Sequence, residues 1–199
     1  MRLRILQFGS PVLRAKGRAI EHIDDRIRQL AADMIETMRA ANGVGLAAQQ
    51  IGEALQLTVV DVSQVEDRPS TLKLNGNDVD PRVASPLVLI NPEIELGQST
   101  SIGLEGCLSF PEITGDIERA ETVRARAQGL DGSSLQLEAT GLLARALQHE
   151  IDHLNGILFI DRMSSAAKTA LASRLKKMQK ETEHAVRKSR KSLEPETAL

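Results

Sequence analysis

Apolar residues recur three to four positions apart in three stretches of the chain, and this spacing predicts three helices. The helices are expected over about residues 24–41, 142–155 and 164–190. Asn42-Gly43 and Gly156 follow the first two, and glycine after an apolar helical pattern commonly ends a helix.

Short runs of β-branched and other apolar residues lie between the first two helices and predict strands. These runs cover residues 57–62, 87–90, 93–97, 101–104, 117–127 and 134–140. Residues 1–20 are expected to be extended. Residues 63–84 are polar and rich in Asp, Asn and Pro, so they predict a long loop or an insertion.

The strands are grouped between helices rather than alternating with them, which favours the α+β class. We expect an N-terminal helix, mainly antiparallel strands in small sheets, a central helix packed against them, and a C-terminal helix. These elements are expected to form one domain over residues 1–165, followed by a basic helix and a disordered end over residues 166–199. Disorder is predicted for residues 192–199 in particular.

Composition narrows the function classes. Aromatic residues make up 2% of the chain, with no Trp or Tyr, which argues against binding single-stranded nucleic acid by base stacking. A net charge of −2 points neither to specific DNA nor to a membrane surface, and no apolar run is long enough to span a bilayer. The N-terminal residues lack a secretory signal and the one cysteine cannot form an internal disulfide, so we expect a cytoplasmic protein.

His149, Glu150 and His153 form an H-E-x-x-H motif in the central predicted helix. Histidines four residues apart lie on one face of a helix, so both imidazoles can reach one metal ion, and the glutamate lies beside that ion to handle a proton. A structural zinc site would fill all four positions with Cys and His. Neither His22 nor His184 shows ligand spacing, and both are interpreted as exposed.

Cys107 is the candidate third ligand. A lone buried cysteine is usually an inert core residue, but this one is flanked by a carboxylate, a glycine and a serine. Joined to His149 and His153, it would complete a three-ligand site with a fourth position left for water, as in catalytic metal centres. A cysteine nucleophile with His149 as its base is the alternative, and it leaves Glu150 and His153 without roles.

Residues 43–50 are rich in glycine and alanine. The segment resembles a phosphate-binding loop at first, but it lacks the Gly-Lys-Ser/Thr ending. It is either a tight turn after the first helix or a close-packed loop that presents backbone groups and the Gln50 amide to a ligand. The residues alone leave both interpretations open.

Taken together, three segments resemble the peptide deformylase family. Residues 43–50 match its G-Φ-G-Φ-A-A-x-Q motif, where Φ is apolar, residues 105–109 match E-G-C-L-S, and residues 148–156 match Q-H-E-x-D-H-L-x-G. The segments occur in the family's order, and the resemblance covers about residues 1–165. It implies a cytoplasmic bacterial enzyme that removes the formyl group from the formylmethionine of newly made proteins and releases formate.

The resemblance also implies what the metal centre holds. Cys107, His149 and His153 would bind one divalent ion, commonly Fe²⁺, with Zn²⁺, Ni²⁺ or Co²⁺ able to replace it. The ion would lower the pKa of its bound water, and Glu150 would act first as general base and then as general acid.

Other matching positions are implied to bind substrate. The Gln50 amide and the backbone N–H of Leu108 would stabilise the charge that develops on the formyl oxygen, and Gly45 would approach the substrate backbone. Selectivity for methionine needs an apolar slot, although simple core packing is the alternative for the helix positions. The candidates for its wall are Val44, Leu142 and Ala146.

The chain departs from some members of the family at one position. Those members carry an arginine four or five residues after E-G-C-L-S, where it can meet substrate, whereas this chain has none before Arg119. Arg119 resembles the family's partner of Glu105, in an ion pair that holds the cysteine strand behind the metal ligands. An exposed arginine on a strand is the alternative.

The predicted last helix is strongly basic over residues 168–191. It is either a solvated helix packed by one apolar edge or a helix that docks on ribosomal RNA near emerging chains. The expected partners are therefore formylmethionyl nascent peptides and, in the second interpretation, the ribosome.

Two other functions remain open from the residues. A zinc endopeptidase also uses H-E-x-x-H, but it usually takes its third ligand from further along the chain, and no spaced histidine follows His153. A metal-dependent fold or an inactive relative that binds N-termini is the non-enzymatic alternative. Intact Glu150 and Gln50 argue against that alternative.

Overall fold

Two sheets and five α-helices make up the computed structural model, which describes residues 1–191. The helices are α1 (Asp25–Ala40), α2 (Pro81–Ala84), α3 (Gly141–Leu154), α4 (Phe159–Arg162) and α5 (Ser165–Lys191). The strands are β1 (Gly45–Ala47), β2 (Leu57–Val60), β3 (Leu72–Leu74), β4 (Asn77–Val79), β5 (Leu87–Leu96), β6 (Thr100–Cys107), β7 (Phe110–Ala120), β8 (Thr122–Gln128) and β9 (Ser134–Thr140). The disorder predicted for residues 192–199 lies outside the described residues.

The larger sheet has seven strands in the order β1-β2-β5-β8-β9-β3-β4, and the smaller sheet is the β6-β7 hairpin. Neighbouring strands are antiparallel in both sheets. Helix α3 packs its leucines and alanines against the larger sheet and directs polar side chains to the hairpin. The α+β class expected from the order of elements is confirmed.

The three helices predicted from apolar spacing are confirmed to within one residue at each end. Helix α1 begins after Asp24, whose carboxylate accepts a hydrogen bond from the Ile27 N–H at 2.9 Å. Its Met34 and Met38 are fully buried in a cluster with strand β2. Helix α3 ends just before Gly156, whose φ of +73° suits glycine.

The loop predicted over residues 63–84 is wrong in part, because the segment contains the β3-β4 hairpin and helix α2. Its strands are three residues long, and Leu72 is their only buried side chain, so they show no apolar alternation. The turn consists of Asn75 and Gly76, both with positive φ, as a two-residue hairpin requires. Asn-Gly was the signal that could have revealed the hairpin.

Three strand boundaries also differ from the prediction. Residues 87–90 and 93–97 belong to one strand, β5, because a bulge between Ile90 and Glu93 lets the chain continue through Asn91-Pro92. The predicted strand 117–127 is instead two strands, β7 and β8, which are separated at Glu121. Residues 1–20 are not wholly extended, since Pro11–Arg14 form a 3₁₀ turn.

Helix α3 is buried on every side from Leu142 to Leu154, which includes a polar stripe of Arg145, Gln148 and Asp152. Gln148 shows why: its side-chain amide donates to the Ala120 carbonyl at 2.9 Å and accepts from the Ala120 N–H at 3.0 Å. Buried polar groups are tolerated when they are hydrogen-bonded in this way. The polar stripe therefore faces the β6-β7 hairpin rather than solvent.

Helix α5 packs back onto the preceding part of the chain. Its Leu171, Leu175 and Met178 lie against the cluster formed around Phe110 and Phe159. Gly9 lies so close to α5 that a Cβ atom there would be 2.9 Å from the Gln179 backbone. No helix of residues 1–191 is long and apolar enough to cross a bilayer.

Candidate active site

Strand β6 and helix α3 bring together one thiol and two imidazoles. The ligand atoms of Cys107, His149 and His153 all lie within 4.8 Å of one another, and Cys107 Sγ is 3.3 Å from His153 Nε2. Cys107 is the last residue of β6, where the register with β7 shifts. The three residues that the sequence proposed as metal ligands therefore converge.

The two imidazoles of the cluster are held in different protonation states. Burial lowers the pKa of His153 well below its ordinary value, which keeps that ring neutral and able to ligate. Burial also lowers the pKa of His149, but hydrogen bonds to Cys107 and Glu105 outweigh it and raise the pKa to about 10. That pKa keeps the His149 ring protonated at neutral pH. Its Nδ1 lies 2.9 Å from Glu105 Oε2, so Nε2 is the nitrogen that would ligate, and it would release its proton when it does so. The donor set of one thiolate and two imidazoles suits a single transition-metal ion.

Glu105 lies behind the ligands and is the acceptor for three cationic side chains. Arg119 donates to both of its oxygens at 3.0 and 3.1 Å, and Arg145 donates to Oε1 at 2.9 Å. Burial alone would raise the pKa of Glu105, but hydrogen bonds from His149 and Arg119 lower it to about 2. The predicted Glu105–Arg119 ion pair is present and buried, so the exposed alternative for Arg119 is wrong.

Asp152 extends this network away from the ligands. It accepts a hydrogen bond from Arg119 and a second from Arg162 Nη2 at 2.6 Å. Arg162 is half exposed. Arg119 is therefore held from two sides, and it fixes the β7 strand to helix α3 as well as supporting Glu105.

Glu150 is buried beside the ligands, and its Oε2 has no hydrogen-bond partner in the described part of the chain. Burial raises its pKa to about 7. Gly45 passes directly over this carboxylate, since a Cβ atom at Gly45 would lie 2.2 Å from Glu150 Oε1. Only glycine allows the β1 backbone this approach.

Gln50 lies in the 3₁₀ turn that follows β1 and is oriented by its own segment. Its Oε1 accepts the Ala47 N–H at 2.8 Å, which directs the amide nitrogen toward the ligands. Gln50 Nε2 is 3.5 Å from Cys107 Sγ and 3.3 Å from Ser109 Oγ. Leu108 lies between those two residues, in the turn that joins β6 to β7. The two interpretations of residues 43–50 are thus reconciled: a strand and a tight turn present Gln50 to the site.

A cavity of about 460 Å³ opens onto the ligands. Val44 and Leu142 line it, as the sequence suggested, whereas Ala146 does not line it and packs in the core against the larger sheet. Arg145 and Arg68 do line it, and sequence reasoning gave neither a role. The position of Arg145 four residues before His149 could have revealed it, while nothing in the polar segment 63–84 singled out Arg68.

The remaining histidines behave as predicted, since His22 and His184 are both exposed. Neither belongs to the cluster of Cys107, His149 and His153.

The fold and the site define an α+β hydrolase with a candidate centre for one metal ion. A sequence model of the family described as polypeptide deformylase matches residues 2–169, and the chain belongs to this family. The family assignment made from the three motifs is confirmed.

Relatives and solved structures agree with this assignment. The chain is 44% identical to a peptide deformylase of Opitutus terrae over 94% of this chain and 98% of that protein. It is 43% identical to one of Methylacidiphilum infernorum over 90% and 94% of the two chains. The crystal structure of peptide deformylase from Thermotoga maritima is similar, with a TM-score of 0.70 and 38% identity over 82% of this chain and 99% of that chain. A peptide deformylase from Synechococcus elongatus in complex with actinonin gives a TM-score of 0.72 at 38% identity, covering 86% and 85%.

The Glu105→Gln substitution tests whether the carboxylate behind His149 supports metal binding. The amide cannot provide the same charged acceptor for His149, so we expect the affinity for Zn²⁺ to fall by about 10- to 100-fold. Competition with a chromogenic chelator measures this affinity. Glu112→Gln is the control, because Glu112 lines the same cavity but its recorded partner is Arg174. Equal affinities for Glu105→Gln and the wild type would contradict the role given to Glu105.

Proposed function

We propose that this chain removes the formyl group from the N-terminal formylmethionine of newly made proteins and releases formate and a free amine. The observation that carries the proposal is the convergence of Cys107, His149 and His153 beside the buried carboxylate of Glu150, in a chain of the polypeptide deformylase family. Hydrolysis of a formamide needs a polarised carbonyl, a water and a proton carrier. These residues can provide all three.

Cys107, His149 and His153 would hold the metal ion. When bound there, a divalent ion supplies a Lewis acid that polarises the formyl carbonyl and makes water more acidic. The resemblance to peptide deformylases makes Fe²⁺ our proposal for the native ion, and Zn²⁺, Ni²⁺ and Co²⁺ could substitute because one thiolate and two imidazoles accept all four.

Glu150 is the proposed proton carrier. It takes a proton from the water that attacks the formyl carbon and delivers it to the departing nitrogen. A pKa near 7, caused by burial, suits both steps at neutral pH. Its Oε2 has no partner within the described residues, so the carboxylate is free for this exchange.

Gln50 and Leu108 are the proposed donors to the formyl oxygen. The Ala47 N–H fixes the Gln50 amide, so its nitrogen needs little reorganisation when charge develops on that oxygen. The Leu108 N–H would add a second donor from the β6-β7 turn. One such donor typically contributes about 3–4 kcal/mol to lowering the barrier.

The substrate backbone is proposed to lie along β1, past Gly45 and Val44. Strand β1 is at the edge of the seven-stranded sheet, so its outer backbone groups can pair with an extended peptide. Leu142 and Val44 would form apolar walls for the methionine side chain. Ala146 is removed from this set because it packs in the core.

The other candidate functions are less consistent with the site. A zinc endopeptidase would take its third ligand downstream of His153, whereas the Cys107 thiol already lies 3.3 Å from that ring. A cysteine nucleophile gives no role to His153 or to the unpaired Glu150. No observation favours either over the deformylase.

Release of formate from a formylated Met-Ala-Ser peptide tests the proposal directly. Protein purified without oxygen is expected to contain about one metal ion per chain and to release formate. Removal of the ion with a chelator should abolish the activity, and Fe²⁺, Zn²⁺, Ni²⁺ or Co²⁺ should restore it to different extents. Metal analysis and a coupled formate dehydrogenase assay are the measurements. Cleavage of internal peptide bonds without formate release would overturn the proposal.

The Glu150→Gln substitution tests the proton carrier. The amide has nearly the same shape but cannot accept the proton, so kcat should fall by about 10²- to 10⁴-fold while the metal content is unchanged. Glu118→Gln is the matched control, because Glu118 is exposed on β7 and bonds to Thr100. A Glu150→Gln enzyme that keeps more than a tenth of the wild-type rate would exclude Glu150 from this role.

We further propose that residues 1–165 form the catalytic domain, that the protein acts in the bacterial cytoplasm, and that the basic helix beyond this domain docks on the ribosome. The apolar edge of α5 is already packed internally, so its exposed basic side chains are the groups free to meet RNA. These side chains are Lys176, Lys180, Arg187 and Lys188, whereas Lys168, Arg174 and Lys177 are exposed but already contact Asp161, Glu112 and Glu181. Neutralising phosphates with such a surface would make binding depend on salt.

Charge reversal on α5 tests ribosome docking without disturbing the packed edge. The triple variant Lys176→Glu, Lys180→Glu, Arg187→Glu should co-sediment with ribosomes much less than the wild type at low salt, and both should dissociate at high salt. The control reverses three exposed charges on the larger sheet: Lys73→Glu, Arg124→Glu and Arg126→Glu. Docking through α5 would be excluded if both triple variants lost co-sedimentation with ribosomes equally, or if the α5 variant lost none.

A further inference from the structure

We propose that the exposed apolar face of strand β6 is a docking surface for the part of the substrate chain that follows formylmethionine. This β6 face consists of Leu104 and Ile102, and its occupant is the nascent polypeptide whose first residue lies in the cavity. The inference rests on the proposed deformylase function and adds a contact region outside the cavity to it.

The exposure of the two side chains is the first observation. Leu104 is 59% exposed and Ile102 is 72% exposed, and the other exposed large apolar side chains of the described residues are Met1, Val83 and Leu96. Leu104 and Ile102 are two residues apart on one strand, so they lie on the same face and adjoin each other. Single exposed apolar residues are common, whereas adjoining ones mark interaction sites.

The orientation of the β6 face is fixed from the other side of the strand. Arg145 on α3 donates a hydrogen bond to the Ser101 carbonyl at 2.9 Å, and a Cβ atom at Gly103 would lie 3.1 Å from the same guanidinium. Because successive side chains of a strand point to opposite faces, these contacts direct Leu104 and Ile102 away from α3. The surface is therefore preformed, which lowers the entropic cost of binding a partner.

The β6 face begins at the cavity, and this continuity favours the nascent chain as its occupant. Leu104 lines the cavity together with Cys107, whereas Ile102 lies outside it. At about 3.3 Å per residue, Leu104 is about 10 Å and Ile102 about 17 Å along the strand from Cys107. Among the described residues β6 has β7 as its one neighbouring strand, so a peptide that leaves the cavity past Leu104 can run beside β6.

An extended substrate presents alternate side chains to this face. The first side chain is proposed to contact Leu142, so it points toward α3. The second, fourth and sixth side chains then point away from α3, as Leu104 and Ile102 do. The fourth residue is about 13 Å and the sixth about 20 Å from a formyl group at the candidate metal ligands. These two positions are on either side of the level of Ile102.

Asp116 adds a charge to the surface. It is exposed, it lies directly opposite Leu104 in the register of β6 and β7, and it forms no ion pair with residues 1–188. Glu118, which lies opposite Ile102, is instead bonded to Thr100 at 2.8 Å. The free carboxylate favours a substrate that carries a basic residue near Leu104. The preference should be about two- to threefold and should weaken with salt, because exposed ion pairs contribute little.

The first arm of the test uses the Zn²⁺-loaded wild-type enzyme and three formylated heptapeptides. They are Met-Ala-Ser-Val-Ser-Val-Ser, Met-Ala-Val-Ser-Val-Ser-Ser and Met-Ala-Ser-Ser-Ser-Ser-Ser, so the two valine peptides differ only in register. Valine at the fourth and sixth positions should lower KM by about 3- to 10-fold relative to the other two, with kcat unchanged, since the contact is remote from the reacting atoms.

Equal KM values for the two valine peptides would overturn the inference and leave the deformylase function intact. Absence of formate release from all three peptides would overturn the function itself.

The second arm compares variants by the KM ratio of the two valine peptides. Ile102→Thr keeps a β-branched residue on the strand and does not alter the cavity wall, and it should reduce the ratio at least about twofold. Val83→Thr is the matched control, because Val83 is 83% exposed on α2, and it should keep the wild-type ratio. Survival of that ratio in Ile102→Thr, or its loss in Val83→Thr, would contradict docking on the β6 face.

The third arm reverses the charge at Asp116. The wild type should prefer lysine to glutamate at the fourth position of the heptapeptide, and Asp116→Lys should prefer glutamate. Asp78→Lys is the control, because Asp78 is exposed on β4, an edge strand of the other sheet, and it should behave as the wild type does. The same order of the two peptides in the wild type and Asp116→Lys would overturn the placement of the substrate beside β6.

A binding measurement adds a readout that is independent of turnover. Calorimetry should show that the wild type binds the deformylated peptide with valine at the fourth and sixth positions more tightly than its register isomer, and that Ile102→Thr reduces the difference. Analytical ultracentrifugation tests whether a second copy of the chain covers the same surface. Equal binding of the two isomers by the wild type, or a wild-type dimer that Ile102→Thr dissociates, would overturn the inference.

Discussion

The buried carboxylate of Glu105 is the interaction on which the rest of the site depends. It orients His149, pairs with Arg119 and anchors Arg145, so the candidate metal ligands, the hairpin and the wall of the adjoining cavity share one anion. Removing one partner of a buried ion pair typically costs about 3–5 kcal/mol, because the other charge stays buried without compensation. Two strands and a helix are therefore held together by electrostatics as well as by apolar packing.

The same network separates the roles of the charged residues on α3. His149 and Glu150 are adjacent in sequence, yet one is tied to Glu105 and the other has an unpaired oxygen. Asp152 completes the arrangement by neutralising Arg119 on the far side. The Glu105 network thus forms a rigid support behind the candidate ligands, and the Glu150 carboxylate lies in front of them with one oxygen unpaired within the described residues. Unsatisfied buried groups in a folded protein commonly mark chemistry.

The sequence predicted the chemistry better than it predicted the walls of the site. Cys107, His149, His153 and Glu150 could be predicted because metal ligation restricts residue type and spacing. Arg145 was given no role because arginine is usually exposed, although its spacing from His149 places it on the same face of the helix and tertiary contacts bury it against β6 and β7. Strand β5 continues through Asn91-Pro92 because a bulge accommodates the proline. The β3-β4 hairpin could not be predicted from periodicity because it lacks an apolar face. Both depend on long-range pairing that local patterns do not contain.

The packing of α5 has a consequence for the order in which the protein forms. Gln50 is 57 residues from Cys107 in the sequence, and Cys107 is 46 residues from His153. The apolar cluster that supports Cys107 is covered by Leu175 and Met178. A chain that leaves the translation machinery from its N-terminus cannot close this cluster until α5 has also been made. The site itself can form only after helix α3 has been made, because its contacts are non-local. An enzyme that acts on nascent chains is thus inactive for most of the time during which it is itself a nascent chain.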